Sequence, residues 1–271
     1  IILLAFVCSL KTTTNQTFPF TPSADDVWIF GYGSLMWKAD FPFIDRKQGF
    51  IRGYQRRFYQ NSIDHRGTHK RPGRVVTLMP TSLPEDRVYG VAYRIASQHK
   101  PKVLAHLDYR EKNGYERCSL EFQEFPEETR RFNIIMYIAT SENESYAGSV
   151  NQLQKIAEQI LCSAGPSGPN REYLFNLADT MRTLFPGVHD DHLFDLEEEV
   201  CQRIRKDEAL ILDRAMKTEI IKMFKTVLDV KEEKNAKKIV SKNLNELKEK
   251  IMKQGWKEEL LTQELMLNSN V

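Results

Sequence analysis

The stretch that most constrains this chain is Trp28-Ile29-Phe30-Gly31-Tyr32-Gly33-Ser34-Leu35-Met36-Trp37, an apolar strand running directly into a Gly-x-Gly turn. Val27 to Phe30 is β-branched and aromatic, which suits a buried strand. Two glycines two residues apart let the backbone turn so that successive N–H groups converge on an anion. Such a nest holds a carboxylate, a phosphate or an oxyanion; the alternative is a plain turn at a strand end. Met36 stands where the third glycine of a dinucleotide fingerprint would fall, and no Gly-Lys-Ser/Thr follows as in a Walker loop.

Further short strands are predicted around this one. Residues 73–79 and 88–95 are strand-like, the latter placing Tyr89, Val91, Tyr93 and Ile95 on one face, and residues 118–125 and 132–139 follow on either side of a Pro126-Glu127-Glu128-Thr129 turn. Alternation at period two marks half-buried strands. Residues 60–73 read as a polar, cationic loop. Its His65 and His69 share no metal-ligand spacing with a carboxylate or cysteine, so no metal and no cofactor is expected.

Pro101 fits the first turn of a helix and Asn113-Gly114 its left-handed close. Within it Val103, Leu107 and Glu111 recur every fourth residue, which sets Glu111 on the apolar stripe. A carboxylate facing the core at a helix C-terminus is costly unless something uses it, since the dipole there disfavours negative charge. Glu111 is therefore a candidate catalytic group; pairing with Arg110 or Arg117 is the structural alternative.

The second half turns helical. Residues 152–162 carry Leu153, Ile156 and Ile160 on one face, a Gly/Pro/Ser connector breaks at 163–169, and Asn170 is expected to cap a helix striped by Tyr173, Leu174, Leu177, Met181 and Leu184. A third helix is expected from Asp190-Asp191 through Leu193, Leu196 and Val200, its capped start accounting for His189 and His192. From about Arg205 the sequence becomes Lys/Glu-rich, with one amphipathic helix through Leu210, Ile211, Met216, Ile220, Ile221, Phe224 and Leu228 and another through Ile239, Leu244, Leu247, Ile251, Trp256 and Leu260. Their apolar faces must dock on the main domain or on a protein partner. At the other end, Ile1 to Leu10 is apolar but too short to span a bilayer, with the tail of a signal-peptide core as the minority reading, and residues 11–26 look like a disordered lead-in.

At 271 residues and 41% hydrophobic the chain can bury a substantial core, and a net charge of +2 implies neither a nucleic-acid groove nor a polybasic membrane patch. Four cysteines (Cys8, Cys118, Cys162, Cys201) without a CxxC argue against a zinc site or a disulfide framework and fit reduced thiols. Cys118 stands as an alternative nucleophile.

Several of these segments together carry a resemblance. Trp28 to Leu35, Pro72-Gly73-Arg74-Val75-Val76-Thr77-Leu78, Leu107-Asp108-Tyr109-Arg110-Glu111 with Gly114-Tyr115, and Ala164-Gly165-Pro166-Ser167-Gly168 with Glu172-Tyr173-Leu174 occur in an order similar to that of the ChaC family of glutathione-specific γ-glutamylcyclotransferases, most of all its shorter, constitutive, cytosolic type. The resemblance covers residues 27–205. It implies an α+β fold, a γ-glutamylcyclotransferase-like mixed β-barrel with flanking helices, to which the C-terminal helices are an extension. It also implies substrate binding by Phe30, Gly31, Tyr32, Gly33, Ser34 and Leu35, a general acid/base at Glu111, and pocket tyrosines at Tyr115 and Tyr173. The implied organisation is a lead-in at 1–26, the cyclotransferase domain at 27–205 and a charged helical extension at 206–271; the two ends carry no family role. The expected activity is cytoplasmic cleavage of glutathione to 5-oxoproline and cysteinylglycine, without nucleic acid or membrane. A cyclotransferase for other γ-glutamyl amines, and a non-catalytic regulator acting through its C-terminal helices, are the alternatives.

Overall fold

The computed structural model describes residues 25–110, 114–127, 130–148 and 153–228, with isolated helical positions 242, 246 and 249. Glu111 and Asn113, the N-terminal apolar run and most of the expected helix over 239–260 lie outside the described residues. The chain divides into two compact units, Ile1–Val200 and Cys201–Val271.

In the first unit, strand β1 (Val27–Gly31), a 3₁₀ turn (Ser34–Met36), β2 (Asp45–Arg52), β3 (Tyr54–Ser62), β4 (Gly73–Pro80), β5 (Arg87–Ile95), helix α1 (Lys100–Arg110), β6 (Tyr115–Glu124) and β7 (Arg131–Ala139) follow one another. Then come α2 (Leu153–Cys162), the short strands β8 (Ala164–Gly165) and β9 (Gly168–Pro169), α3 (Asn170–Leu184) and the start of α4 (Asp191–Leu228). Five strands close a barrel in the order β1-β5-β2-β6-β7. All its pairings are antiparallel except β1 with β7, joined in parallel at Ile29 and Ile135, so the barrel is mixed. This is the α+β barrel that the resemblance implies.

Aromatic side chains fill the barrel because closure removes every sheet edge and leaves an interior that only large apolar groups can pack. Phe30, Phe50 and Phe122 are fully buried, and the rings of Phe30 and Phe122 lie 5.7 Å apart. Gly90 on β5 makes the approach possible: a Cβ there would stand 2.7 Å from the Phe30 ring.

Strands β3 and β4 form a separate ribbon, joined from Tyr54 opposite Pro80 to Ser62 opposite Gly73, with one extra residue on β3 between Arg57 and Gln60. The expected loop over 60–73 is corrected at its start, since Gln60, Asn61 and Ser62 belong to β3. The sequence hides this strand because its buried face is polar: Arg56, Gln60 and Ser62 are buried alongside Phe58, so no apolar alternation appears. Strand β2, likewise, was not foreseen.

Asn170 does not cap α3. Its side chain accepts from the Arg74 N–H (2.6 Å) and donates to the Arg74 carbonyl (2.8 Å), and so ties the start of α3 to β4 instead. Asp190 does start α4, accepting from the Leu193 N–H at 3.2 Å. The third helix and the first helix of the charged extension are one: α4 passes residue 205 unbroken, as no glycine or proline occurs between Val188 and Gln254.

The second unit comprises the later turns of α4, laced by Lys217–Asp213 (2.7 Å) and Lys222–Glu219 (2.7 Å) ion pairs, with Leu210, Ile211 and Ile221 exposed. Among the described residues no helix is long and apolar enough to cross a membrane.

Candidate active site

A cleft of about 390 Å³ opens in the first unit where β1 ends. Residues 30–35, where the sequence predicts a nest, line it. β1 is anchored in the barrel up to Gly31; the chain then enters the 3₁₀ turn, whose first internal bond is donated by the Met36 N–H to Gly33 (2.9 Å). The amides of Ser34 and Leu35 therefore have no acceptor inside the turn.

Three elements fix this loop. Tyr93 on β5 donates its hydroxyl to the Leu35 carbonyl at 2.8 Å. Tyr32 donates to the Tyr137 carbonyl on β7 at 2.8 Å. Arg110, the last residue of α1, donates to Ser34 Oγ at 2.8 Å and to Asp40 at 2.9 Å. Asp40 also pairs with His106 at 3.3 Å. Burial alone would raise the Asp40 pKa, but Arg110 and His106 outweigh it and hold the carboxyl below its ordinary value.

Gly33 is required by packing. A Cβ there would lie 2.8 Å from the Tyr173 hydroxyl and 3.0 Å from Val76. Tyr173, on the buried face of α3, is wedged by edge-on contacts with Trp37 (5.5 Å between centroids) and Phe58 (6.0 Å). All eight sequence-predicted binding residues, Phe30, Gly31, Tyr32, Gly33, Ser34, Leu35, Tyr115 and Tyr173, line this one cleft. Glu111, the predicted acid/base, follows Arg110 directly in the chain but lies outside the described residues.

Several lining residues were not singled out from the sequence. Lys38, Asp40 and His106 line the cleft with no mark in their own sequence context, and Gln60, Arg66 and Arg110 line it too, though the sequence marks the first two only as part of a polar loop and Arg110 only as a neighbour of Glu111. Periodicity points inward only for apolar residues, so polar groups brought in by β3 or by the last turn of α1 carry no signal of their own. The described lining residues include Lys38, Arg66 and Arg110 against Asp40 and Asp64, a balance suited to a ligand of net negative charge.

Cys118 and His65 are weaker candidates. Cys118 does not line it, and burial, helped by Glu116, pushes its thiol above its ordinary pKa, the reverse of an activated nucleophile. His65 lines the cleft, but among the described residues its ion-pair partner is Asp64 alone, at 3.7 Å, and no cluster of three or more His, Cys, Asp or Glu could hold a metal.

Comparison with known proteins agrees with this geometry. The family model described as ChaC-like protein matches residues 27–203. γ-Glutamylcyclotransferase 2-3 of Arabidopsis thaliana is 41% identical over 198 residues, covering 71% of this chain and 97% of that protein. Glutathione-specific γ-glutamylcyclotransferase 1 of Homo sapiens is 41% identical over 190 residues, covering 68% of this chain and 83% of its own length. A solved structure of a γ-glutamyl cyclotransferase specific to glutathione from yeast superposes with a TM-score of 0.61 at 30% identity, covering 65% of this chain and 96% of that one. With the barrel, the Gly-x-Gly loop and the sequence match all falling on the same residues, this chain is a member of the ChaC family.

Proposed function

We propose that the protein is a glutathione-specific γ-glutamylcyclotransferase that releases cysteinylglycine and 5-oxoproline in the cytoplasm. The observation that carries the reading is the loop at Gly31–Leu35, held from β5, β7 and α1 at once and closed over by Tyr173. A loop fixed on so many sides is preorganised to receive one carboxylate in one orientation. The free thiols of Cys118 and Cys162 suit a reducing compartment.

The γ-glutamyl group carries its own nucleophile. Its α-amine can close a five-membered ring on the γ-carbonyl, so the reaction needs no enzyme nucleophile and no water. In our reading the amides of Ser34 and Leu35 receive the negatively charged oxygen of the substrate, and Glu111 accepts a proton from the α-ammonium. The freed amine forms a C–N bond to the γ-carbon, giving a tetrahedral oxyanion. The ring nitrogen still carries two protons; as the oxyanion collapses, the bond to the cysteine nitrogen breaks, Glu111 returns its proton to that nitrogen, and one ring-nitrogen proton passes to the freed amine through the same carboxylate, leaving a neutral lactam and a cysteinylglycine ammonium. Glu111 thus ends as it began, and Tyr115 and Tyr173 wall the site.

Incubating the purified protein with glutathione and following both products tests this directly. Equal amounts of 5-oxoproline and cysteinylglycine are expected. Intact glutathione after prolonged incubation, or cleavage to glutamate instead, would overturn it.

A further inference from the structure

Gln60 presents an unusual feature for a cleft residue. It is 1% exposed, yet among the described residues no donor reaches its carbonyl Oε1. Its Nε2 is satisfied, donating to Asn143 Oδ1 at 2.9 Å. The backbone around it is equally well held: the Asn61 N–H donates to Ser145 (2.8 Å), the Ala147 N–H to Tyr59 (2.7 Å), and Gln60 bridges to Tyr146. Only the one oxygen is left over. Buried acceptors are nearly always satisfied, so an orphan on the wall of a cleft points to a donor that arrives with the ligand.

The location narrows the donor. Asn143 stands beside Gly114, where an added Cβ would lie 2.6 Å from its Nδ2, and Gly114 is three residues beyond Glu111. The Gln60 amide is thus tied through Asn143 to the turn before β6, whose first residue, Tyr115, also lines the cleft. The bulge on β3 falls immediately before Gln60, a device that sets the aim of a side chain at a site. A neutral carbonyl in a low-dielectric wall is a good acceptor for a cationic N–H.

We propose that Gln60 Oε1 accepts a hydrogen bond from the α-amino group of the γ-glutamyl substrate and is a specificity-determining residue for it. This rests on the cyclotransferase reading. The contact holds the ammonium while Glu111 takes one proton and then keeps the neutral amine oriented by a remaining N–H, with its lone pair toward the γ-carbon. A substrate whose amine is missing leaves the oxygen orphaned.

The test compares wild type with Gln60→Met, which is unbranched and of similar length. Asn143 Oδ1 keeps the Ser145 N–H at 2.8 Å, so the substitution strands no partner, and the Tm is expected to equal or exceed that of wild type. For glutathione, kcat/KM should fall about 10- to 100-fold, the scale on which a site built for a polar group discriminates. For glutaryl-cysteinylglycine, which is glutathione without the amine, the inhibition constant should stay within about twofold, because uncharged contacts are unaltered. A kcat/KM within about threefold of wild type, or a parallel rise in the inhibition constant, overturns the proposal. A wild-type protein that leaves glutathione intact defeats the cyclotransferase reading separately. In that event the comparison is made by thermal shift: glutathione should protect wild type more than Gln60→Met, and equal protection counts against Gln60.

Discussion

One methyl group at position 33 would reach the Tyr173 hydroxyl and the Val76 side chain together, at 2.8 and 3.0 Å. Neither can retreat easily, since Val76 is in β4 and Tyr173 is wedged between Trp37 and Phe58. Gly33→Ala should therefore lower kcat/KM at least about tenfold by displacing the binding loop, at a stability cost of roughly 1–3 kcal/mol typical of overpacking. Adding Tyr173→Phe removes the nearer atom and should recover part of the stability, which a thermal melt of the three variants would read. Glu111 poses a separate question, about chemistry rather than space. Glu111→Gln keeps the shape and removes the base, so kcat should drop about 10²-fold or more while substrate still binds. N-acetylated glutathione, whose nitrogen is no longer a nucleophile, should not be cleaved. Turnover of that compound, or near-normal turnover by the Gln variant, would exclude intramolecular aminolysis through this residue.

Between elements, a double polar tie is made by Asn170, fully buried, which serves both the N–H and the carbonyl of Arg74. Asn170→Ala strands both, and each unsatisfied buried group costs about 1–3 kcal/mol. We expect a loss of roughly 2–6 kcal/mol in urea unfolding, larger than for surface substitutions on the same helix. Asn170 also shows where sequence legibility stops. An Asn before an apolar stripe is the usual mark of a cap, but an amide that pairs with a distant strand has the same local sequence. β4, β5 and β7 were legible because β-branched, aromatic and other apolar side chains recur along them; β3 was not, because Arg56 and Gln60 occupy the buried face and are held by other elements. Arg56, for example, pairs with Asp190 at 3.0 Å and also donates to the Tyr89 carbonyl and reaches Met36. The Gly-x-Gly loop was legible at the level of its own backbone. The Arg110, Tyr93 and Tyr32 contacts that fix it were not, since each joins residues far apart in the chain, and no local spacing encodes such a meeting.

At the scale of the whole molecule, the join between α4 and the β3 strand makes stability depend on pH. His192 is partly buried, and its Nε2 accepts from the Phe58 N–H at 3.1 Å, which only the unprotonated ring can do. Burial, and secondarily Arg57, pulls its pKa down to about 4. Unfolded protein binds the proton at the ordinary value near 6.5, so between those limits the unfolded state holds more protons. Stability conferred by neutral His192 is accordingly present above about pH 6.5 and declines as pH falls toward about 4, by about 3 kcal/mol in all. His192→Gln, which keeps an acceptor without a titrating group, should flatten the unfolding free energy over that range; an unchanged slope would assign the acid sensitivity elsewhere. We also propose residues 27–205 as the catalytic domain, and predict that this segment alone folds and turns over glutathione at near the full-length rate. An insoluble or inactive segment beside an active full chain would make the later turns of α4 part of the domain. Barrel closure carries a further consequence, one of timing. β1 meets β7 through Ile29 and Ile135, and the loop after β1 gains its last wall only with Tyr173. A ribosome adding roughly 5–20 residues per second releases the binding loop many seconds before those partners exist. During that interval the apolar stretch at Trp28–Trp37 has nothing native to pack on, which makes it the segment of the nascent chain most in need of a chaperone.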